Sequence, residues 1–236
     1  MKIDPAFREK QSLLFLDQFP WEVGCVIIGG YAILGYGALR YSRDLDILIP
    51  LRLSEKIKGW FTEKEFSVEK TATPNPQNYD GRYVRYLKSE LTIDLLIGAV
   101  RDREAQVDIP ESWISKQPTM RKIIGLNGST KTELPLVRLE ALWALKIQAG
   151  RSQDISDLFS IFNMKFSKDE VITIFREHLC DSLREKLSKT RGKLKENKIY
   201  QDLRSALFLK DTTKVQAQWK QFVNTMEQII DAILTE

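Results

Sequence analysis

The chain has 236 residues with 36 basic and 32 acidic side chains, a formal net charge of +4, and its 43% hydrophobic content excludes a disordered or collagen-like protein. A single histidine, His178, excludes His-rich zinc sites and HExxH metalloproteases. Two distant cysteines and the lack of a visible export signal or membrane span lead us to expect a reduced protein of the cytoplasm.

The first half of the chain alternates helical and strand patterns. Apolar residues at helical spacing predict a helix over Phe7–Phe19, and Cys25–Ile28 predicts a short strand. Gly29-Gly30 breaks that strand and opens a helix. The segment Asp44–Ile49 alternates strictly, which predicts a strand with two aspartates on one face.

Further strands are expected between that segment and residue 134. We predict a helix over Ser54–Lys64 and a loop over residues 71–81. Two hairpins are expected after the loop, the first from Arg82–Lys88 and Leu91–Ile97 and the second from Arg121–Leu126 and Thr130–Leu134. Asn127-Gly128 in the second hairpin is the strongest short turn signal. In the first hairpin, alternate apolar residues from Leu91 form the buried face, so Asp94 lies on the opposite face.

From Pro135 onward the strand patterns stop. Leu136–Ala149 is expected to be helical, with Pro135 at its first position and Gly150 just past its end. Other helices are predicted over Asp154–Phe162, Lys168–Glu177 and Gln216–Leu234. The expected fold class is therefore α+β, with a mixed sheet and flanking helices over residues 1–134 and a helical bundle over 135–236.

Three aspartates are candidate metal ligands. Asp44 and Asp46 share a strand face, which places their carboxylates roughly 6–7 Å apart. A divalent cation between them would relieve their repulsion, and magnesium prefers carboxylate and phosphate oxygens. Asp94 completes the cluster if its strand lies beside theirs, and metal ions on such a cluster can activate a hydroxyl and neutralise a leaving pyrophosphate. The alternative for the Asp-x-Asp pair is a solvated strand end.

A glycine turn and a basic segment precede the aspartates. Gly29 and Gly30 leave backbone N–H groups at a helix N-terminus, where they can hold phosphate, although a plain tight turn is the alternative. Arg40, Ser42 and Arg43 stand just ahead of the Asp-x-Asp pair.

The segment VIIGGYAILGYGALRYSRDLDILI resembles the nucleotidyltransferase superfamily that includes DNA polymerase β, and more closely its AbiEii-like toxin branch, to which the MenT toxins belong. The shared signature is an apolar strand, Gly-Gly, a helix and Asp-x-Asp on the next strand. Arg40, Ser42, Asp44 and Asp46 match the Arg-x-Ser-x-Asp-x-Asp arrangement of the branch. Asp94 matches the third family carboxylate, which is often assigned to activating the acceptor hydroxyl.

A later motif of the branch, a lysine followed by Asp-x-x-Asp-Leu, is matched by LEALWALKIQAGRSQDISDLFSI. Lys146 shares a helical face with bulky apolar groups, so its cation needs a partner. That partner is either the nucleotide triphosphate or, as a structural alternative, an internal salt bridge to Asp154 or Asp157, with a snorkelling lysine as a further possibility. Both aspartates could equally cap a helix. Gln153 replaces the usual basic residue, which leaves Arg151 and Asp154 as alternatives for that role.

The resemblance implies a nucleotidyltransferase fold and an enzyme that uses Mg²⁺ or Mn²⁺ to move a nucleoside monophosphate from an NTP to a hydroxyl, releasing pyrophosphate. The implied catalytic residues are Asp44, Asp46, Asp94 and Lys146, and the implied metal ligands are the three aspartates. The implied nucleotide-binding residues are Gly29, Gly30, Arg40, Ser42, Arg43, Lys146, Asp154 and Asp157.

The acceptor that the resemblance implies is an RNA end such as a tRNA 3′ terminus, and the implied role is that of a toxin restrained by a separate antitoxin. Alternatives are an antibiotic or other small-molecule acceptor, a protein acceptor, or a catalytically silent nucleotide-binding module. The resemblance covers residues 25–100 and 136–162, and residues 165–236 match nothing. The basic segment Lys189–Lys198 is either a solvated helix or loop, or a contact to an RNA backbone.

Overall fold

The computed structural model describes residues 4–38, 42–72, 82–102, 104–125, 128, 131–176 and 179–235. Arg40 and His178 lie outside the described residues. The chain divides into two compact units, the first made of residues 1–101 and 108–138 and the second of residues 102–107 and 139–236. The sequence-derived domain boundary after residue 134 stays a prediction.

Helices occupy both units. The ten helices of the described residues are α1 Pro5–Gln18, α2 Gly29–Gly35, α3 Ser54–Glu63, α4 Glu111–Ile114, α5 Leu139–Ala149, α6 Ser152–Ser160, α7 Lys168–Arg176, α8 Asp181–Lys193, α9 Asn197–Ala206 and α10 Thr213–Leu234. A single 3₁₀ turn, Leu51–Leu53, precedes α3. Within the described ranges, no helix is both long and apolar enough to cross a membrane.

A mixed β-sheet forms the centre of the first unit. The strands assigned along the described chain are β1 Val26–Ile27, β2 Asp44–Ile49, β3 Ser67–Ala72, β4 Arg82–Lys88, β5 Leu91–Ile97, β6 Ala99–Asp102, β7 Val107–Pro110, β8 Thr119–Ile124 and β9 Lys131–Leu136. Seven of these described strands form one sheet in the order β3-β4-β5-β2-β1-β9-β8, and β6 pairs with β7. The α+β class and the mixed sheet with flanking helices are confirmed.

The central strand pairings bring distant parts of the sequence together. β2 runs antiparallel to β1 and parallel to β5, whereas β4 and β5 form the predicted antiparallel hairpin. The apolar face of β2 is fully buried at Ile47, and that of β5 at Ile93 and Leu95. Burial of these apolar side chains holds the two strands in register, because a slip of one residue would turn each apolar face toward solvent.

An aromatic cluster joins α1 and α3 to the sheet. Phe61 of α3 stacks on Tyr86 of β4 with ring centroids 3.9 Å apart, and Phe15 of α1 lies 5.9 Å from Phe61. α1 begins at Pro5 and is capped by the Asp4 carboxylate, which accepts a hydrogen bond from the backbone N–H of Ala6. The predicted first helix is confirmed, and its buried Phe15 is linked to Tyr86 of β4 through the ring of Phe61.

Two sequence predictions for the first unit are wrong. Residues 71–72 were expected in a loop, but they end β3, a strand that is exposed over residues 67–71 and lacks an apolar face. Pro135 was expected to begin a helix, but it lies in β9, which continues to Leu136 and pairs there with Ile27 of β1. α5 therefore begins three residues later than predicted, at Leu139.

The second unit is a helical bundle around Trp143. The Trp143 ring stacks on Phe166 at 4.1 Å and lies 6.2 Å from Phe222 of α10. Lys186 of α8 is buried and forms an ion pair with Asp102, which also accepts a hydrogen bond from the backbone N–H of Ala105. This pair ties the short segment 102–107 to α8.

Gly150 ends α5 in a left-handed conformation, φ +60°, that glycine adopts without strain. A methyl group there would overlap the Thr190 hydroxyl of α8. We expect Gly150→Ala to lower the free energy of unfolding by about 1–3 kcal/mol, as measured by urea denaturation followed by circular dichroism. The control is Gly192→Ala inside α8, where within the described residues a Cβ would meet no atom within 4 Å. That change should raise stability by about 0.5–1 kcal/mol, and equal effects of the two variants would contradict the prediction.

Candidate active site

The three predicted metal-ligand aspartates of the first unit lie on two neighbouring strands. β2 and β5 are parallel, and their register pairs Asp46 with Asp94 and Asp44 with Thr92. Neighbouring strands are about 4.8 Å apart, so Asp46 and Asp94 stand side by side. The expectation that the strand of Asp94 lies beside that of Asp44 and Asp46 is confirmed.

The glycine turn lies directly against Asp46. Gly29 begins α2 with φ +64°, and a Cβ built on it would overlap the Asp46 carboxylate and stand 2.8 Å from its Cγ. The backbone N–H of Ile28 donates to the Asp46 carbonyl at 3.0 Å. Glycine is therefore required at position 29 to let the Asp46 side chain pass close to the backbone. Binding of phosphate by Gly29 and Gly30 stays a prediction.

The surroundings of Asp44 disfavour the charged form of its carboxyl group. Burial raises the pKa of its carboxyl above the ordinary value, and the negative charge of Asp94 raises it further. The positive charges of Arg85, Arg8 and Arg43 act in the opposite direction and do not cancel the increase. The aspartates thus form a region in which added positive charge is favourable.

Asp94 is held by two side chains of β4. Arg85 donates two hydrogen bonds to its carboxylate, from Nε at 2.7 Å and from a terminal nitrogen at 2.8 Å, and the Tyr83 hydroxyl donates at 2.9 Å. Burial, followed by the hydrogen bond to Asp94, raises the pKa of Tyr83 to about 12. Asp94 is only 8% exposed, so these donors replace the water that a charged carboxylate needs.

The basic segment ahead of β2 is described only in part. The Ser42 hydroxyl donates to the Asp44 carbonyl at 3.1 Å, which fixes the start of the strand. Arg43 is exposed, and its charge acts on Asp44. Arg40 lies outside the described residues. The assignment of these three residues to the triphosphate stays a prediction.

The second unit brings together Lys146, Asp154 and Asp157. Lys146 Nζ lies 2.9 Å from Asp154 Oδ1 and 2.6 Å from Asp157 Oδ2, and all three side chains are buried. Arg151 Nε binds Asp154 at 2.6 Å, and Gln153 donates to Asp157 at 3.1 Å. The internal salt bridge, the structural alternative for Lys146, is confirmed. A contact between Lys146 and a triphosphate stays a prediction.

Asp154 also caps α6, since its carboxylate accepts the backbone N–H of Arg151. Burial raises the pKa of Asp154, but the hydrogen bond from Arg151 and the charge of Lys146 outweigh burial and hold it below the ordinary value. A carboxylate with a lowered pKa stabilises the fold above its unfolded pKa, and that stability is lost as pH falls through the folded pKa. This network therefore stabilises the protein at neutral pH and loses strength in acid.

The donor chemistry of the three aspartates suits a hard divalent cation, because all their ligand atoms are oxygens and Asp46 and Asp94 are adjacent. In the part of the chain that the structure describes, no three histidine, cysteine, aspartate or glutamate side chains are grouped closely enough to hold a metal ion. The guanidinium group of Arg85 donates two hydrogen bonds to the carboxylate of Asp94. The metal site on Asp44, Asp46 and Asp94 stays a prediction.

A match to a protein-family model identifies the family of this chain. The family model described as nucleotidyl transferase AbiEii toxin, Type IV TA system, matches residues 13–234. The chain belongs to the AbiEii family. It is thus a nucleotidyltransferase of a toxin family, as the resemblance implied. The AbiEii match also takes in nearly all of residues 165–236, for which the sequence analysis found no counterpart.

Solved structures resemble this AbiEii protein at low sequence identity. A candidate nucleotidyltransferase from H. pylori is 16% identical, with 99% of this chain and 98% of that chain covered and a TM-score of 0.42. JHP933 from Helicobacter pylori is 16% identical over 100% and 96% of the two chains, with a TM-score of 0.41. A tRNA-processing enzyme in an apo form is 14% identical over 97% and 59%, with a TM-score of 0.35. No curated protein matches the AbiEii chain in sequence.

Three residues near the candidate metal ligands, Arg85, Tyr83 and Arg8, were not predicted from the sequence. The first two could have been found from the predicted hairpin, because a two-residue turn at Ser89-Glu90 fixes the register that places Arg85 opposite Asp94. Tyr83 lies two residues from Arg85 and therefore on the same face. Arg8 belongs to α1, and no local pattern connects that helix with Asp44.

Proposed function

We propose that the first unit transfers a nucleoside monophosphate from an NTP to a hydroxyl at the 3′ end of an RNA, such as a tRNA, in the cytoplasm, and that a separate antitoxin restrains this activity. The observation that carries the proposal is the in-register placement of Asp46 beside Asp94, with Asp44 two residues away and the Gly29 turn against Asp46. Asp44, Asp46 and Asp94 would hold Mg²⁺ or Mn²⁺, and Gly29, Gly30 and the side chains of Arg40, Ser42 and Arg43 would bind the triphosphate.

The charges of these residues suit an in-line displacement at phosphorus. A bound divalent cation would lower the pKa of the acceptor hydroxyl and neutralise charge on the phosphate oxygens. The acceptor oxygen forms a bond to the α-phosphorus, the bond to the bridging oxygen of pyrophosphate breaks, and the hydroxyl proton passes to Asp94 or to solvent. Asp94 is suited to either role, ligand or proton acceptor, because it adjoins Asp46. Arg43 would offset the charge of the departing pyrophosphate.

The toxin role is supported by the AbiEii family, which is described as the toxin of a type IV toxin–antitoxin system. Addition of a nucleotide to the 3′ end of a tRNA would block translation, as expected of a toxin. The Lys189–Lys198 segment gives this proposal little support, since Lys189, Arg191 and Lys195 each pair with an acidic side chain of the same unit. The contact of Lys146, Asp154 and Asp157 with the nucleotide remains part of the proposal.

Radiolabelled transfer tests this function. The purified chain is incubated with Mg²⁺, tRNA and each NTP labelled at the α-phosphate, and a parallel reaction carries the label at the γ-phosphate. We expect α-label on the RNA and no γ-label, because the γ-phosphate leaves in pyrophosphate. Asp46→Asn and Asp44→Asn should each lower the rate by at least about 10²-fold, since each removes charge that stabilises the transition state.

The matched control is Glu63→Gln, which neutralises an exposed carboxylate at the end of α3 in the same unit and should leave the rate unchanged. Unchanged transfer in Asp46→Asn would overturn the site assignment. Label on an antibiotic or on a protein, and none on RNA, would replace the acceptor while keeping the chemistry. Label transferred from the γ-phosphate would replace nucleotidyl transfer with phosphoryl transfer.

A further inference from the structure

Arg85 lies among three acidic side chains of the first unit. Its guanidinium group binds both oxygens of Asp94 at 2.7 and 2.8 Å. It also lies 3.9 Å from an oxygen of Asp44 and 3.9 Å from an oxygen of Glu69 on β3. Arg85 therefore contacts two of the three candidate metal ligands, Asp94 and Asp44.

The Arg85–Asp94 pair has the geometry of a strong ion pair. Fork-shaped, two-bond contacts between arginine and carboxylate are among the strongest ion pairs in proteins. The guanidinium group of an arginine keeps its charge under all conditions in which proteins fold. Asp94 is nearly buried, which limits screening by water.

A divalent cation and Arg85 make opposing demands on Asp94. A metal ion needs a carboxylate oxygen of Asp94 within about 2.1 Å, and at that position it would approach the guanidinium that binds the same carboxylate. Two positive charges at such separation repel strongly when water is largely excluded. An NTP brings negative charge that can offset both cations, whereas the free metal ion brings none.

We propose that Arg85 is the internal counter-cation of Asp94 and competes with the divalent cation for it, so that the site takes up a free metal ion weakly and a metal ion together with an NTP strongly. This inference rests on the proposed function, in which Asp44, Asp46 and Asp94 hold the metal. Arg85 is a positioning residue in this scheme, because it acts through Asp94. A purely structural cross-strand pair would stabilise the hairpin and leave metal affinity unchanged.

Binding of Mn²⁺ in the absence of nucleotide tests the competition. Titrations of the full chain, followed by electron paramagnetic resonance of free Mn²⁺, give the dissociation constant. We expect Arg85→Gln to bind Mn²⁺ at least about tenfold more tightly than the wild-type chain, because a positive charge next to the site is removed. Arg85→Lys loses the two-bond contact but keeps the positive charge beside Asp94, so its Mn²⁺ affinity should stay within about threefold of wild type.

The matched control is Arg82→Gln. Arg82 is exposed on the same strand, three residues away and on the opposite face, so its removal changes the net charge equally without touching Asp94. Mn²⁺ affinity of this variant should stay within about twofold of wild type. When Asp94 is also replaced by asparagine, Arg85→Gln should change the Mn²⁺ affinity much less than it does in the wild-type chain. Far-UV circular dichroism checks that each variant is folded.

The outcomes separate this inference from the proposed function. If Asp46→Asn abolishes Mn²⁺ binding but Arg85→Gln binds no more tightly than wild type, the competition is overturned and the metal site stands. If Arg85→Lys binds as tightly as Arg85→Gln, charge competition is likewise overturned. If no variant shows Mn²⁺ binding that depends on Asp44 and Asp46, with or without a non-hydrolysable NTP analogue, the metal site itself is wrong.

Discussion

Replacement of Lys146 by methionine is expected to lower the free energy of unfolding by about 3–5 kcal/mol. Lys146 is 6% exposed and binds two aspartates that are 0% and 2% exposed. Without the ammonium group, Asp154 keeps its contact with Arg151 and Asp157 keeps its hydrogen bond from Gln153, but both lose the buried positive charge. Removing one cation from a buried charge cluster costs more than the ion pair contributes, because the remaining carboxylates stay out of contact with water.

Urea denaturation followed by far-UV circular dichroism measures this loss. The control is Lys168→Met on α7, whose Nζ makes an exposed hydrogen bond to Gln228 and whose loss should cost no more than about 0.5 kcal/mol. Lys146→Met combined with Asp157→Asn should recover part of the stability, because the double variant removes one buried negative charge together with the positive charge of Lys146.

The same variant separates two roles for Lys146. If Lys146→Met unfolds like wild type but fails to transfer nucleotide, the lysine acts on the triphosphate and the internal pair contributes little. If stability falls as expected and the Lys146→Met/Asp157→Asn protein regains both folding and activity, the role of Lys146 is structural. The two short, buried contacts of Lys146 Nζ favour a large contribution of this lysine to stability, since Nζ would have to leave both carboxylates to reach a ligand.

Patterns of local sequence predicted the elements that carry the candidate site. The strand at Asp44–Ile49 and the hairpin of Arg82–Lys88 with Leu91–Ile97 are confirmed with the same bounds. These segments alternate apolar and polar residues, and burial of one face then dictates the register. The two-residue turn also fixes the pairing of Arg85 with Asp94, which was not predicted.

What local pattern could not predict depends on tertiary contacts. The strand at Ser67–Ala72 lacks an apolar face and exists because its backbone pairs with β4. Pro135 favours a helix start by local preference, but pairing with β8 and burial of Leu136 keep it in a strand. The helices α8 and α9 were missed because their charged residues obscure a narrow apolar stripe. Local preference yields to long-range pairing in each case.

Gly29→Ala is expected to lower nucleotidyl transfer by about 10²-fold while the protein stays folded. The new Cβ would occupy the space of the Asp46 carboxylate, so either the side chain of Asp46 or the start of α2 must move. The Asp46 carboxylate would then leave its position beside Asp94, and a displacement of about 1 Å at a catalytic group is enough for a loss of that size. The same displacement should weaken Mn²⁺ binding, which gives a readout independent of turnover.

Gly37→Ala separates this contact from backbone strain. Gly37 also has a positive φ, +91°, but among the described residues a Cβ there would meet no atom within 4 Å. Both variants therefore carry the strain of a left-handed alanine, about 1–2 kcal/mol, and only Gly29→Ala displaces Asp46. Equal activity of the two variants would show that the close approach of the glycine turn to Asp46 does not matter for catalysis. A loss confined to Gly29→Ala would mean that Gly30 alone does not meet the need for glycine in this turn. Position 29 must lack a side chain so that the Asp46 carboxylate can lie beside Asp94.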